Sequence, residues 1–258
     1  MNISKSLVKI GLLLLNVCLF IGVCGQSNPS GSFAAYAKQV EQQMKSIDKD
    51  TSLQRIAMQL PYIEFAGKKI PVTVYKKNNI VRKLIIVSYD ESRTTSVRER
   101  YYFDDAGRII GHINPMDGSA LQEIFSAGSV KIHTGSGDLA TDTTFHNDEM
   151  AFYKLAVAKY IVDYYLSNFN GLKYSTFDVS ANTGYIVKLL ANADLKSSPN
   201  LNAPVVKKLV KGTGLLYIDR SENQDSAAQT GKWIWIKVRD KSKSEGWIWG
   251  YPSVVHPY

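Results

Sequence analysis

Few side chains in this chain are of the kinds and at the spacings that catalysis needs. The four histidines are His112, His133, His146 and His256, and no two of them stand at the helical spacing of a zinc-protease pair. His133, Asp142, His146, Asp148 and Glu149 are metal-binding types, but at loop-like spacings that fix no geometry; a surface polar cluster accounts for them better. Gly135-Ser136-Gly137-Asp138 has the look of a nucleophile or phosphate loop without the flanking pattern of either, and reads as a turn. Asp104 and Asp105 belong to turn chemistry, and Glu64, Glu91 and Glu99 offer no evident carboxylate pair for acid–base work. The two cysteines, Cys18 and Cys24, both lie near the start. The remainder therefore has no thiol nucleophile, disulfide or cysteine-based zinc site. The expectation is no catalytic residue, no metal and no cofactor.

The elements around these residues fall into two blocks. Met1 to Lys9 carries Lys5 and Lys9, and Ile10 to Val23 is almost wholly apolar. That is the pattern of an export signal over residues 1–25. Val23-Cys24-Gly25 before Gln26 fits simple cleavage, while Ile21-Gly22-Val23-Cys24 fits a lipoprotein box with Cys24 as the lipidated residue. Val23 departs from the small residue that such a box wants, which favours cleavage. Residues 26–32 form a polar tether. Phe33, Tyr36, Ala37, Val40, Met44 and Ile47 make one helical stripe with Ser32 as its N-cap. Leu53, Ile56, Ala57 and Leu60 suggest a second short helix, stopped by Pro61.

After Pro61 the period changes to two. Val72 to Tyr75 and Leu84 to Tyr89 flank Lys76-Lys77-Asn78-Asn79, and Val97 to Phe103 and Arg108 to Ile113 flank Asp104-Asp105-Ala106-Gly107. Both are hairpin signals, and Val130 to His133 adds a strand. From Asp148 to Phe169 the helical period returns, with Asn170-Gly171 as its stop. The predicted fold for residues 33–171 is an α+β domain, an antiparallel meander with helices packed on one face. Residues 172–183 are a linker, and 184–258 a small all-β unit.

Within that unit, Lys232 to Val238 alternates. In a strand, Ile234, Ile236 and Val238 point to one face, and Trp233, Trp235 and Lys237 to the other. Trp247 and Trp249 repeat the spacing around Ile248, and Tyr185, Tyr217 and Tyr251 border the same surface. Two readings stand for this cluster. One is a ligand-binding groove of Trp233, Trp235, Trp247, Trp249, Tyr217 and Lys237, with Arg239, Lys241 and Lys243 nearby for carboxylates. The other is that the tryptophans fill the core of a small domain.

Three stretches carry a family resemblance. They are Ala193-Asp194-Leu195-Lys196-Ser197-Ser198-Pro199, Val205 to Gly212, and Trp235-Ile236-Lys237-Val238 followed by Gly246-Trp247-Ile248. Together they resemble the bacterial SH3 (SH3b) domain. The resemblance implies a small SH3-like barrel that binds peptidoglycan or peptides and does no chemistry itself. It covers about the last third of the chain; residues 33–171 resemble no family. SH3b domains often accompany papain-like peptidoglycan peptidases, an activity that the missing thiol excludes.

The formal net charge is +8 with 45% hydrophobic and 21% charged residues. That is globular composition, and a basic balance suited to anionic envelope polymers. No lysine or arginine block exceeds a pair, so no nucleic-acid arm is present. The expected protein is exported, periplasmic or extracellular, and membrane-tethered only if Cys24 is lipidated. It is expected to be a non-catalytic envelope binding protein that recognises peptidoglycan stem peptides or a protein segment, with a protein partner for the N-terminal domain. Two other readings remain open: a cell-wall hydrolase with its site around His133, Asp142 and His146, and an inhibitor or immunity-type protein.

Overall fold

Period-two alternation extends over far more of the chain than the hairpin signals mark. A computed structural model describes residues 30–63, 68–89, 96–116, 119–135, 141–179, 184–224, 234–250 and 255–257. The signal at 1–25, Cys24, residues 26–29 of the tether, Trp233 and Tyr251 lie outside these residues. Helix α1 is Ser30–Lys49, so Ser32 lies inside it rather than capping it. Eight strands follow: β1 Gln54–Pro61, β2 Lys69–Lys77, β3 Ile80–Tyr89, β4 Ser96–Phe103, β5 Ile109–Met116, β6 Ser119–Ser126, β7 Ser129–Gly135 and β8 Thr141–His146. Helix α2 is Glu149–Leu166. The last seven strands are β9 Val187–Leu189, β10 Ala193–Lys196, β11 Val205–Leu209, β12 Gly214–Gln224, β13 Ile234–Arg239, β14 Glu245–Trp249 and β15 Val255–Pro257. Among the described residues no helix is long and apolar enough to cross a membrane.

The chain divides into two compact units, Met1–Gln39 and Val40–Tyr258. In the first, the described residues are the opening turns of α1, where the rings of Phe33 and Tyr36 stack with centroids 5.8 Å apart. All the strands belong to the second.

The predicted α+β domain with helices packed on one sheet face does not form. In its place stands an eight-stranded antiparallel sheet in the order β1 to β8, each strand paired with its sequence neighbours, in a chain that is mostly β. The helix expected over Leu53–Leu60 is β1. Ile56, Met58 and Leu60 also alternate, and all eight residues of the strand find register partners on β2. A short apolar run satisfies both periods, and the neighbouring strand decides between them. Asp50 fixes the turn before it, its Oδ1 accepting the Ser52 backbone N–H at 2.9 Å.

The two helical segments lie on opposite faces of the sheet. One face carries Ile70, Val72, Val74, Leu84, Ile86, Tyr101, Phe125 and Val130, all buried in one apolar cluster with Leu155, Val162 and Tyr165 of α2. The other receives the Val40–Lys49 half of α1. Asp48 accepts hydrogen bonds from Lys83 (3.0 Å) and from the Tyr102 hydroxyl (2.9 Å). Gly111 makes room for this helix, since a Cβ there would sit 2.8 Å from the Met44 sulfur.

Turn chemistry sets the registers. Asn78 and Asn79 both take positive φ, 51° and 63°, as a two-residue hairpin loop demands. Asp104 Oδ1 accepts the backbone N–H groups of Ala106 and Arg108, both at 2.9 Å. The stretch expected as a linker is tied to these hairpins as far as Ser175. Lys173 N–H donates to the Asn79 carbonyl at 2.8 Å, and Ser175 N–H to that of Gly107 at 2.9 Å. Helix α2 begins at an Asp148 cap whose Oδ1 accepts from Ala151 N–H at 2.7 Å.

The closed small barrel is corrected too. The C-terminal strands form an open sheet in the order β11-β10-β14-β13-β12-β9-β15. Among the described residues its edges, β11 and β15, are not paired to each other, so they do not complete a cylinder. Its apolar side, with Leu195, Leu209, Tyr217, Ile236, Val238 and Ile248, merges into the same buried cluster as the meander. An open sheet with a covered inner face is stable without closure because helix and neighbouring sheet bury what a barrel would bury on itself. Gly246 allows β10 and β14 to approach, since a Cβ there would lie 2.6 Å from the Lys196 carbonyl oxygen.

Candidate functional site

Three polar clusters are candidates. The first lies on the α2 face of the meander, where antiparallel register places Tyr101 opposite His112 and His112 opposite Glu123. His112 and Glu123 are buried. Glu123 Oε2 is 2.9 Å from His112 Nδ1, and Glu99 Oε2 is 3.3 Å from Nε2. Lys154 of α2 reaches Glu123 Oε1 at 3.0 Å. The Tyr101 ring stacks on the imidazole, centroids 4.3 Å apart. Burial alone would lower the His112 pKa, but hydrogen bonds to Glu123 and Glu99 outweigh it and raise it to about 9. Burial tends to raise that of Glu123, and the His112 hydrogen bond and charge reverse this, leaving it below the usual carboxylate value. At neutral pH the group is thus an imidazolium and an ammonium set against two carboxylates. A histidine held protonated is a poor general base, and this arrangement acts as a charge-balanced clamp between strands β4 to β6 and helix α2.

The second cluster joins α2 to β12. Tyr217 donates its hydroxyl to Asp163 Oδ2 at 2.7 Å. Lys159 contacts the same oxygen at 3.1 Å and Asp219 at 3.2 Å. Arg220 Nε is 3.5 Å from Asp163 Oδ1. Burial, then the Asp163 charge, pushes the Tyr217 hydroxyl well above its ordinary pKa. Tyr217, expected at the border of a groove, is instead fully buried. It is paired with Val238, on the apolar side of its strand, which turns it toward the helix.

The third is the outer face of the C-terminal sheet. The register sets Trp235 opposite Trp249, Lys237 opposite Trp247, and Lys196 opposite Trp247 from the other side. These side chains lie opposite Ile236, Val238 and Ile248, as alternation predicts. Trp235 is nevertheless only 2% exposed, its indole meeting that of Trp249 edge to face at 5.3 Å. It is thus a sealed residue and not a groove wall. Trp247, Trp249 and Lys237 keep intermediate exposure. Lys237 and Arg239 both reach Glu245, at 3.4 and 2.6 Å, and the Arg239 hydrogen bond holds the Glu245 carboxyl below its usual pKa. What remains open is a narrower surface, Trp247 between two lysines with Trp249 beside it. That suits a flat apolar group carrying a carboxylate.

The residues of the hydrolase reading do not gather into one site. His133 and Asp142 pair at 2.6 Å, and this bond, before that of Lys131, holds the Asp142 carboxyl below its usual pKa. His146 lies four residues further along β8, about 13 Å at strand rise, and bonds Ser129 Oγ at 2.9 Å. Among the described residues no group of three or more His, Cys, Asp or Glu is placed to hold a metal ion. Comparison with protein-family models, with curated proteins and with solved structures gives no match.

Proposed function

We propose that this chain is an exported, non-catalytic binding protein of the bacterial envelope. Its C-terminal sheet holds a peptidoglycan stem peptide, or a protein segment, against the outer face around Trp247. The observation that carries this reading is the lateral row Lys196, Trp247, Lys237, in which a partly exposed tryptophan stands in register between two lysines. Stem peptides offer carboxylates and short aliphatic groups, the chemistry such a row accepts. The SH3b resemblance of the same strands and the net charge of +8 support it.

The test is sedimentation with purified peptidoglycan. The parent chain pellets with the wall, and Trp247→Ala, folded by circular dichroism, stays in solution. If Trp247→Ala pellets like the parent, the face is not the binding surface. Mass spectrometry of the exported chain tests its destination. A mass beginning at Gln26 identifies a free product, and a diacylated Cys24 a tethered one.

A further inference from the structure

We propose that the edge strand β11 is a second docking site, which takes an extended acidic segment of a partner protein as an added strand. This site is separate from the Trp247 face. β11 pairs with β10 on one side only. A concavity of about 450 Å³ is lined by Lys207 to Val210 on one side and by Asp240 to Ser242, the turn after β13, on the other.

Three apolar side chains line this edge at unusual exposure: Val205 at 44%, Val206 at 51% and Val210 at 66%. Lys208, opposite Asp194 in the register, faces away from the inward Leu209; Val206 is the extra residue of a bulge between Val205 and Lys207, and Val210 follows the last residue of the strand. A strand added at this edge meets exposed valines on either side of Lys208, and so is read as apolar residues flanking an acid. Lys207 is already engaged, its ammonium 2.5 Å from Asp240 Oδ2. Lys208, Lys211 and Lys241 are exposed and have no ion-pair partner among the described residues.

Charge also decides against a second copy of this chain. Two β11 edges laid together would set the lysines of one against those of the other, the arrangement by which edge strands resist self-pairing. An acidic strand meets the opposite situation and loses nothing by approaching.

The probe is a fluorescein-labelled heptapeptide of serine, valine, threonine and glutamate, with valine second and sixth and glutamate at the centre. Its palindromic order fits a parallel or an antiparallel approach. The full chain is expected to bind it, with slowed amide exchange confined to residues 205–210 and weaker binding in added salt. Lys208→Glu weakens it by about tenfold or more. The same variant recovers binding to a heptapeptide with lysine at the centre, a swap that general destabilisation does not produce. Lys45→Glu, on the exposed side of α1, leaves binding unchanged. Equal binding of both peptides by the parent, no slowing at 205–210, or a self-associated chain protected at β11 overturns the proposal. Trp247→Ala is expected to keep the heptapeptide while losing the wall, so the two readings fail separately.

Discussion

On the meander, His112, Glu99 and Glu123 are withdrawn from water, and the imidazole has a carboxylate within 3.3 Å of each ring nitrogen. On the outer face of the C-terminal sheet, Trp247 lies partly exposed, in register between Lys196 and Lys237. Both places bring charge and an aromatic ring together. The first has matched every charge internally, so it gains nothing from a ligand. The second leaves part of an indole to solvent, and its lysines meet only surface acids, Lys237 with Glu245 at 3.4 Å and Lys196 with Asp194 at 4.0 Å, which a ligand carboxylate can replace. Internal satisfaction therefore separates a clamp from a binding surface better than residue type does.

The comparison breaks most visibly at Asp163, whose one carboxylate serves Tyr217, Lys159 and Arg220. Asp163→Ala leaves a buried ammonium without its nearest counter-charge, and should cost about 3–5 kcal/mol in urea unfolding. If it costs under about 1 kcal/mol, the join between α2 and β12 is not a clamp at all. His112→Ala comes next, at about 2–4 kcal/mol, since it removes the buried cation that both Glu123 and Glu99 face. Its pH dependence is the sharper readout. The His112 pKa rises from 6.5 to about 9 on folding, so its contribution is complete below the unfolded value and lost as pH rises through about 9. Glu123 is lowered, so its contribution is present above the ordinary carboxylate value and lost in acid. Urea midpoints of the parent should fall between pH 7 and 10, and those of His112→Gln should not share that fall.

The legibility of these regions in the sequence differed for physical reasons. The Asn78-Asn79 and Asp104–Gly107 hairpins are readable because the turn chemistry is local, and so is α2 from its apolar period starting at Asp148. Strands β6 and β8 are not. Thr141–His146 is almost entirely exposed along its length, so it offers no apolar alternation to read. Without β6, Glu123 has no place opposite His112, and the cluster exists only through that register. Alternation assigned the Trp235 side of its strand correctly, but exposure depends on the Trp249 ring against it, which no single strand encodes. Tyr217 fell inward because a register shift lies between Tyr217 and Asp219, and a shift of that kind leaves no mark in composition.

The C-terminal face should respond differently from the clamps: less stability, much binding. Trp247→Ala is expected to cost about 2–3 kcal/mol, less than a fully buried tryptophan because part of the ring already faces water, while abolishing sedimentation with the wall. The smallest effect belongs to Glu245, the one acid that touches both Lys237 and Arg239 on this face. Exposed pairs of this type contribute about 0.2–1 kcal/mol, so Glu245→Gln should move the unfolding midpoint barely at all. It also removes the carboxylate that Lys237, opposite Trp247, and Arg239 both contact. If carboxylates of the ligand are what those cations meet, Glu245→Gln should bind the wall more tightly than the parent, with a steeper dependence on salt. Unchanged or weaker binding would show that the lysines beside Trp247 take no part in recognition and that the indole acts alone.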